Sequence, residues 1–475
     1  MIKIIFLSFI FVFLSFFLLA KTDKNLIIED LEYFKNIIEN CYIAYDDISS
    51  NQNAEIDIDF LYEQYKKNAK KKKKNASFEK GINQDALLIP LWEYLNGLNL
   101  DDGHLRIDTN TDKWTISKKN KIYSSDYFFR KEDSNYILSY PQNSDYLGKI
   151  YLSSLENLKP TIHNNTELFK IALLTKTSVD KIFIQLDQEN LECPLKWYEF
   201  EYNNSPLIKL IKTDECLYLR IADFYVNPKS ESYNFYNKTI DDFSKEIIDK
   251  NYIILDLIGN PGGYQNWCYE ILGAMNEKKD NNTIQELNDF ITLELSREEE
   301  LHSLELAKNS YLSAIKENLP QDVINIRKKE YDTQVLNPKR YISNISFSKN
   351  SGMPRFDKSN LNKKIIVLID SYTASAAELL ISLIYTLNLG ETILVGENSR
   401  GSAEYGKILD YILPNSKLKI KLASSTRKNA PLLALNEKWH GENYGFYPDY
   451  WITYKDIIET LVYLTKDVSL REIDF

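Results

Sequence analysis

Ser375-Ala376-Ala377-Glu378 is the clearest chemical signal in the chain. It lies in KKIIVLIDSYTASAAELLISLIYTLNL, residues 363–389. The apolar run Ile365 to Ile369 reads as a buried strand, and Asp370-Ser371-Tyr372-Thr373 as a tight turn. A long apolar helix then starts at or near Ser375. A serine hydroxyl at the first turn of a helix faces unpaired backbone N–H groups and the positive end of the macrodipole. Acyl transfer needs that setting: a nucleophile beside donors that can hold an oxyanion. The same four residues also spell a capping box, so on their own they favour a structural reading.

Three other segments bear on the choice. Gly262-Gly263 is the sole Gly-Gly pair in a glycine-poor chain and follows the apolar run YIILDL (252–257). Glycines there let the backbone approach a ligand and turn N–H groups toward it; the bland alternative is an ordinary turn. His104 sits in LNLDDGHL (98–105), flanked by acids and a glycine. An imidazole titrating near neutrality is the usual base for a serine, although a lone histidine in such a segment is more often a turn residue. His440 opens HGENYGFYPD (440–449), which also carries Glu442 and Asp449. His163 and His302 read as surface residues.

The elements that would position these groups fall into three regions. Residues 25–104 show apolar residues at three- and four-residue spacing and read as a helical domain. Residues 105–206 carry short alternating segments rich in Tyr, Ile and Phe, which read as strands, interrupted by one expected helix from Thr166 to Leu174. The third region, 210–465, opens with the strand CLYLRI (216–221), a helix around Thr239 to Asp249 and the strand at 252–257. Strand, helix, strand suggests a parallel crossover, and the pattern recurs from Ile365 to Val395. A charged helical insertion spans about 285–343. Further strands are expected at Gly406–Leu413 and Leu418–Ser424.

Length and composition bound the class. A chain of 475 residues implies more than one domain. A net charge of −10 argues against nucleic acid as a partner. The run Lys70 to Lys74 reads as a solvated face, with membrane-surface contact the lesser alternative. Residues 1–20, a lysine and then an apolar core ending at Ala20, read as a signal peptide or an uncleaved anchor. This places the protein outside the cytoplasm and allows membrane association through that segment. Four cysteines (Cys41, Cys193, Cys216, Cys268) lack metal-ligand spacing, so neither metal nor cofactor is expected. In an oxidising compartment they have three ways to pair.

Taken together, these segments resemble the family forty-one serine peptidases, which include the C-terminal-processing proteases and the tricorn core protease. CLYLRIADF resembles the family's opening core strand. IILDLIGNPGG resembles its strand-plus-glycine motif, with Ile258 where arginine is usual. IDSYTASAAELL resembles the nucleophile motif, and GENYGFYPD the acid-containing motif. DDGHL resembles the histidine motif of the tricorn-like branch. The resemblance implies an α/β fold with a crotonase/ClpP-like ββα superhelix core, preceded by a helical domain and the β-rich segment at 105–206, in which Asn143–Leu173 resembles the carboxylate-binding half of a PDZ domain. It implies an exported serine endopeptidase acting on polypeptides through an acyl-enzyme. Ser402 stands where the dyad branch has its lysine, so the implied triad is Ser375, His104 and Glu442, with Asp449 and His440 as substitutes for the acid and base. The oxyanion would be held by N–H of Ala376 and of Gly262 or Gly263. The alternatives are a catalytically silent relative that binds a peptide or apolar ligand, and a structural or adhesion protein.

Overall fold

The computed structural model describes residues 24–473 apart from 49–54, 71–77, 80–81, 99, 101, 110–112, 116–119, 198–206, 227–229, 276–291, 296, 318, 337–340, 344–362, 428–432 and 434–435. The segment at 1–20, Lys71 to Lys74 and part of the expected insertion therefore lie outside the described residues. Two compact units form. One comprises 1–117, 292–342 and 405–427; the other comprises 118–291, 343–404 and 428–475.

The second unit is organised on a six-stranded sheet built from the apolar runs. Its strands are β1 (Ile208–Lys212), β2 (Cys216–Ile221), β3 (Tyr252–Asp256), β4 (Lys364–Ile369), β5 (Glu391–Gly396) and β6 (Tyr450–Trp451), side by side in that order. β1 is antiparallel to β2, and every other pair is parallel. The runs are continuously apolar because both faces of the sheet are covered. Against one face pack α1 (Glu231–Glu246), α2 (Asn266–Ala274) and α3 (Ala376–Thr386), through Phe243, Trp267, Leu272, Leu380 and Ile384. Against the other packs α4 (Ile457–Thr465), with Ile457 and Leu461 on Tyr218, Ile254, Ile366 and Leu368. The crossovers β2–α1–β3 and β4–α3–β5 are those expected, and together they make the α/β core. Parallel strands of this kind end on one edge, where α/β folds place their sites.

The β-rich segment forms an antiparallel sheet ordered Asn135–Tyr140, Lys121–Glu132, Thr166–Thr175, Leu158–His163. The helix expected at Thr166–Leu174 is therefore a central strand. Its ALL stretch has helix-forming side chains, but Lys170, Ile171 and Ala172 are buried between two paired neighbours, and strand pairing overrides propensity. Between residues 120 and 194 the helical structure described is the short 3₁₀ turn Leu155–Asn157. His163, expected at the surface, is half-buried. It stacks on Phe128 at 4.1 Å, and burial pulls its pKa below the usual imidazole value.

In the first unit the helices at 24–41, Ile58–Lys70 and Gln84–Gly97 follow the predicted periodicity. The last is capped by Asn83, which accepts from Ala86 N–H at 3.0 Å. A distant hairpin, Tyr405–Ile412 with Lys419–Thr426, completes this unit. Buried Asp30 accepts the N–H groups of Asn415 and Ser416 at 2.7 Å each. The insertion contributes two helices, Arg297–Lys316 and Gln321–Leu336. No described helix is long and apolar enough to cross a membrane. All four cysteines are buried as thiols outside any disulfide. Burial pushes the thiols of Cys193 and Cys216 up to about 11 and about 12, so both are inert at neutral pH.

Candidate active site

At the carboxyl edge of the second unit's sheet, β4 ends in a turn that has to deliver Ser375 to α3. Asp370 builds that turn. Its Oδ1 accepts N–H from Gly259, Tyr372 and Thr373 at 2.9–3.0 Å, which ties the glycine-bearing turn after β3 to the one after β4. Ser375 follows with φ 53° and ψ −113°. Positive φ is uncommon for a residue with a Cβ and costs on the order of 1–3 kcal/mol. A serine serving only as a cap would sit in the extended region. Ser-x-x-Glu does form a capping box, with Glu378 Oε2 accepting Ser375 N–H at 2.9 Å. The box and the strained serine are therefore realised together.

The glycine turn lies directly against the serine. A Cβ on Gly262 would fall 2.8 Å from Ser375 Cβ, 2.8 Å from Ala376 N and 2.7 Å from Ala374 O, at φ +89°. No larger residue fits there without displacing the serine. Asn260 holds both turns: its Nδ2 donates to Ile221 O at 3.0 Å, its Oδ1 accepts Gly262 N–H at 2.8 Å, and its carbonyl accepts Ala374 N–H at 2.9 Å. The N–H of Gly262 is thus committed to Asn260. Among the described residues, the N–H groups of Gly263 and Ala376 have no acceptor. Two unspent donors flanking a strained serine at a helix N-terminus can stabilise a developing oxyanion.

Glu378 extends this frame to the acid-bearing segment. It is fully buried. Its Oε1 accepts Ser399 Oγ at 2.5 Å and Gly401 N–H at 2.6 Å, and its Oε2 accepts Ser402 N–H at 2.8 Å in addition to Ser375 N–H. Burial pushes its carboxyl up, while four donors on its oxygens favour the anion. Ser399 Oγ in turn accepts Phe446 N–H at 2.7 Å, and Gly401 O accepts Asn443 N–H at 2.7 Å. Gly401 has φ +71°, and a Cβ there would fall 2.5–2.6 Å from the amide nitrogens of 443–445. The Ser375 turn, the 399–402 loop and the 441–446 segment are thereby tied into one frame. Glu442, 4% exposed, is held in it by Glu404 N–H at 3.0 Å.

The substitutes are engaged elsewhere. Asp449 bridges β5 and β6, accepting Leu394 N–H at 2.9 Å and pairing with Lys438. His440 stacks on Tyr447 at 3.6 Å, and burial, Lys159 and Lys438 all lower its pKa; an imidazolium there would meet two cations. His104 lies in the first unit, half-buried beside fully buried Asp102. Asp102 Oδ1 accepts His104 N–H at 2.8 Å and lies 3.6 Å from Nδ1, which is beyond hydrogen-bond distance. Ser375, Ala376, Gly262 and Gly263 are therefore brought together, with Glu442 in the same frame, while His104 belongs to the other unit.

The sequence reading did not assign Asn260, Glu378 or Asp102. Each had a signal: an asparagine before a glycine pair, an N3 glutamate after a serine, and an acid two residues before a histidine. The buried pair Arg220–Asp256, joined by Tyr218 Oη on the same carboxylate, was also missed. It sits beside Ile258, whose N–H donates to Asp256 Oδ1 at 3.0 Å.

Residues 215–450 match the family model for peptidase family S41. No curated protein matches the chain. Among solved structures, mature CPAF complexed with lactacystin is similar at 13% identity and a TM-score of 0.44, over 95% of this chain and 99% of that one. The photosystem II D1 C-terminal processing protease is similar at 10% identity and a TM-score of 0.35, over 90% and 92%. The tricorn protease is similar at 11% identity and a TM-score of 0.36, over 94% of this chain and 37% of that one.

Proposed function

The chain belongs to the serine-type peptidases of family S41 through residues 215–450, and from that premise we propose that it is an exported endopeptidase that cleaves polypeptides through an acyl-enzyme on Ser375. The observation that carries the reading is Ser375 itself, at φ 53° as the N-cap of α3, against Gly262 and beside the unspent N–H groups of Gly263 and Ala376. Ser375 Oγ attacks the scissile carbonyl, and those two N–H groups receive the oxyanion. His104 takes the serine proton and returns it to the leaving amine. Glu442 orients the imidazole or stabilises its charge, directly or through another polar residue. The apolar segment at 1–20 supports export, with anchoring to a membrane as one way the protein is retained.

Covalent labelling tests this. A fluorophosphonate should modify Ser375, as located by mass spectrometry, and His104→Ala should abolish the modification. Labelling elsewhere in the chain, or full labelling in the His104 variant, would overturn the assignment. A serine that stays unlabelled in a folded protein would favour a silent relative that binds peptides.

A further inference from the structure

Two exposed tyrosines stand beside the glycine turn. Phe224 and Gly263 form an isolated parallel bridge, in which Phe224 N–H donates to Gly262 O and Tyr264 N–H to Phe224 O, each at 3.1 Å. Tyr225 and Tyr264 follow the two bridged residues directly. They are 67% and 51% exposed, and their rings meet edge to face with centroids 6.0 Å apart. A single exposed aromatic needs no explanation. Two in contact, one residue beyond an unspent N–H next to a strained serine, do need one.

The backbone beneath them is fixed. Asp223 Oδ1 accepts Tyr225 N–H at 2.8 Å. Tyr264 O accepts Trp267 N–H at 3.3 Å as α2 begins. A Cβ on Gly263 would come within 2.4 Å of Phe224 C, which shows how closely the two segments approach. Rings on a rigid base offer contact area at little cost in conformational entropy. Their faces are apolar, with hydroxyls at the edge, so an incoming ring or branched aliphatic group would displace water and gain stacking or packing. A small or acidic side chain would gain neither.

Resting on the assignment of Ser375 as nucleophile, we propose that Tyr225 and Tyr264 form a specificity site that takes an aromatic or large aliphatic side chain of the substrate close to the scissile bond. The test uses internally quenched peptides that differ only in Phe, Leu, Ala or Asp at each position flanking the cut. At one position the wild-type protein should prefer Phe or Leu over Ala by about tenfold in kcat/KM, the scale of one good aromatic contact. Tyr225→Ala/Tyr264→Ala should erase that ratio, and Tyr225→Phe/Tyr264→Phe should keep it. Because the readout is a ratio within one protein, general damage to the site cancels. Indifference in the wild type, or a preference that survives the double alanine variant, overturns the proposal. Indifferent cleavage with intact fluorophosphonate labelling of Ser375 sinks this inference alone; loss of both cleavage and labelling in the wild type sinks the nucleophile assignment with it.

Discussion

Glu378→Gln probes the frame with the least change of shape. The carboxylate accepts four short hydrogen bonds, two on each oxygen, from Ser399 Oγ and Gly401 N–H on one and from Ser375 N–H and Ser402 N–H on the other, and Ser402 Oγ adds a longer one at 3.4 Å. An amide keeps one acceptor oxygen. Whichever way it lies, one or two backbone N–H groups then face an NH₂ group, while a serine hydroxyl beside it can turn to accept from it. Each buried donor left unpaired costs about 1–3 kcal/mol, so the variant should lose about 1–6 kcal/mol. Against a total stability of about 5–15 kcal/mol, it should still fold, with a lower urea midpoint. The second readout is chemical. Ser375 is held at positive φ by its surroundings, and slackening one of its anchors lets it relax; a displacement of about 1 Å costs on the order of 10²-fold in rate. Fluorophosphonate labelling of the folded variant should fall by about that factor. Stability within about 0.5 kcal/mol of wild type, the range of an inconsequential surface change, together with unchanged labelling, would refute the clamp.

Other expectations follow from the same geometry. Ser375→Ala should abolish peptide hydrolysis and leave the thermal midpoint within a few degrees of wild type; residual hydrolysis would remove Ser375 from the mechanism. Asn260→Ala should release Gly262 N–H and loosen the turn that presents Gly263, lowering kcat by up to about 10²-fold with a smaller change in KM; an equal rise in KM alone would point to substrate binding instead. Asp467 tests the packing of the C-terminal segment. Burial works against its charge, but Ser469, Thr213 and Glu215 N–H hold its pKa down to about 2. Its folded value lies below the unfolded value of about 3.9, so its stabilisation is complete above that pH and drains away as pH falls toward about 2. Asp467→Asn should lack this component, and identical acid dependence of the urea midpoints in the two proteins would refute it.

What the sequence made legible were features with a period or a forced conformation. The buried strands at 216–221, 252–256 and 364–369 are apolar runs broken only by Arg220, Asp256 and Lys364, and the helix after Ser375 is mostly apolar over three turns. The strand Thr166–Thr175 was misread because its burial comes from partners on both sides rather than from its own alternation. The first unit's boundary was hidden for a similar reason. Residues 405–427 join helices nearly 400 positions earlier through contacts such as Asn415 to Asp30, which leave no local pattern. At the site, residue types pointed to candidate groups, but not to which donors were already spent. Only the hydrogen bond from Gly262 N–H to Asn260 separates Gly263 from its neighbour.

Ser402 turns that same accounting into a mechanistic argument. The family resemblance aligns it with the lysine of the dyad branch, and it is 1% exposed with its N–H on Glu378 Oε2 and its Oγ 3.4 Å from the same oxygen. In this chain the position is part of the clamp that shapes the Ser375 turn. A lysine amine introduced there would meet a buried carboxylate already carrying four donors and would pair with it rather than act as a free base. Ser402→Lys should therefore destabilise the fold without rescuing activity in a His104→Ala background. Rescue in that double variant would show that the dyad geometry survives in this chain, and the case for an imidazole base would fail.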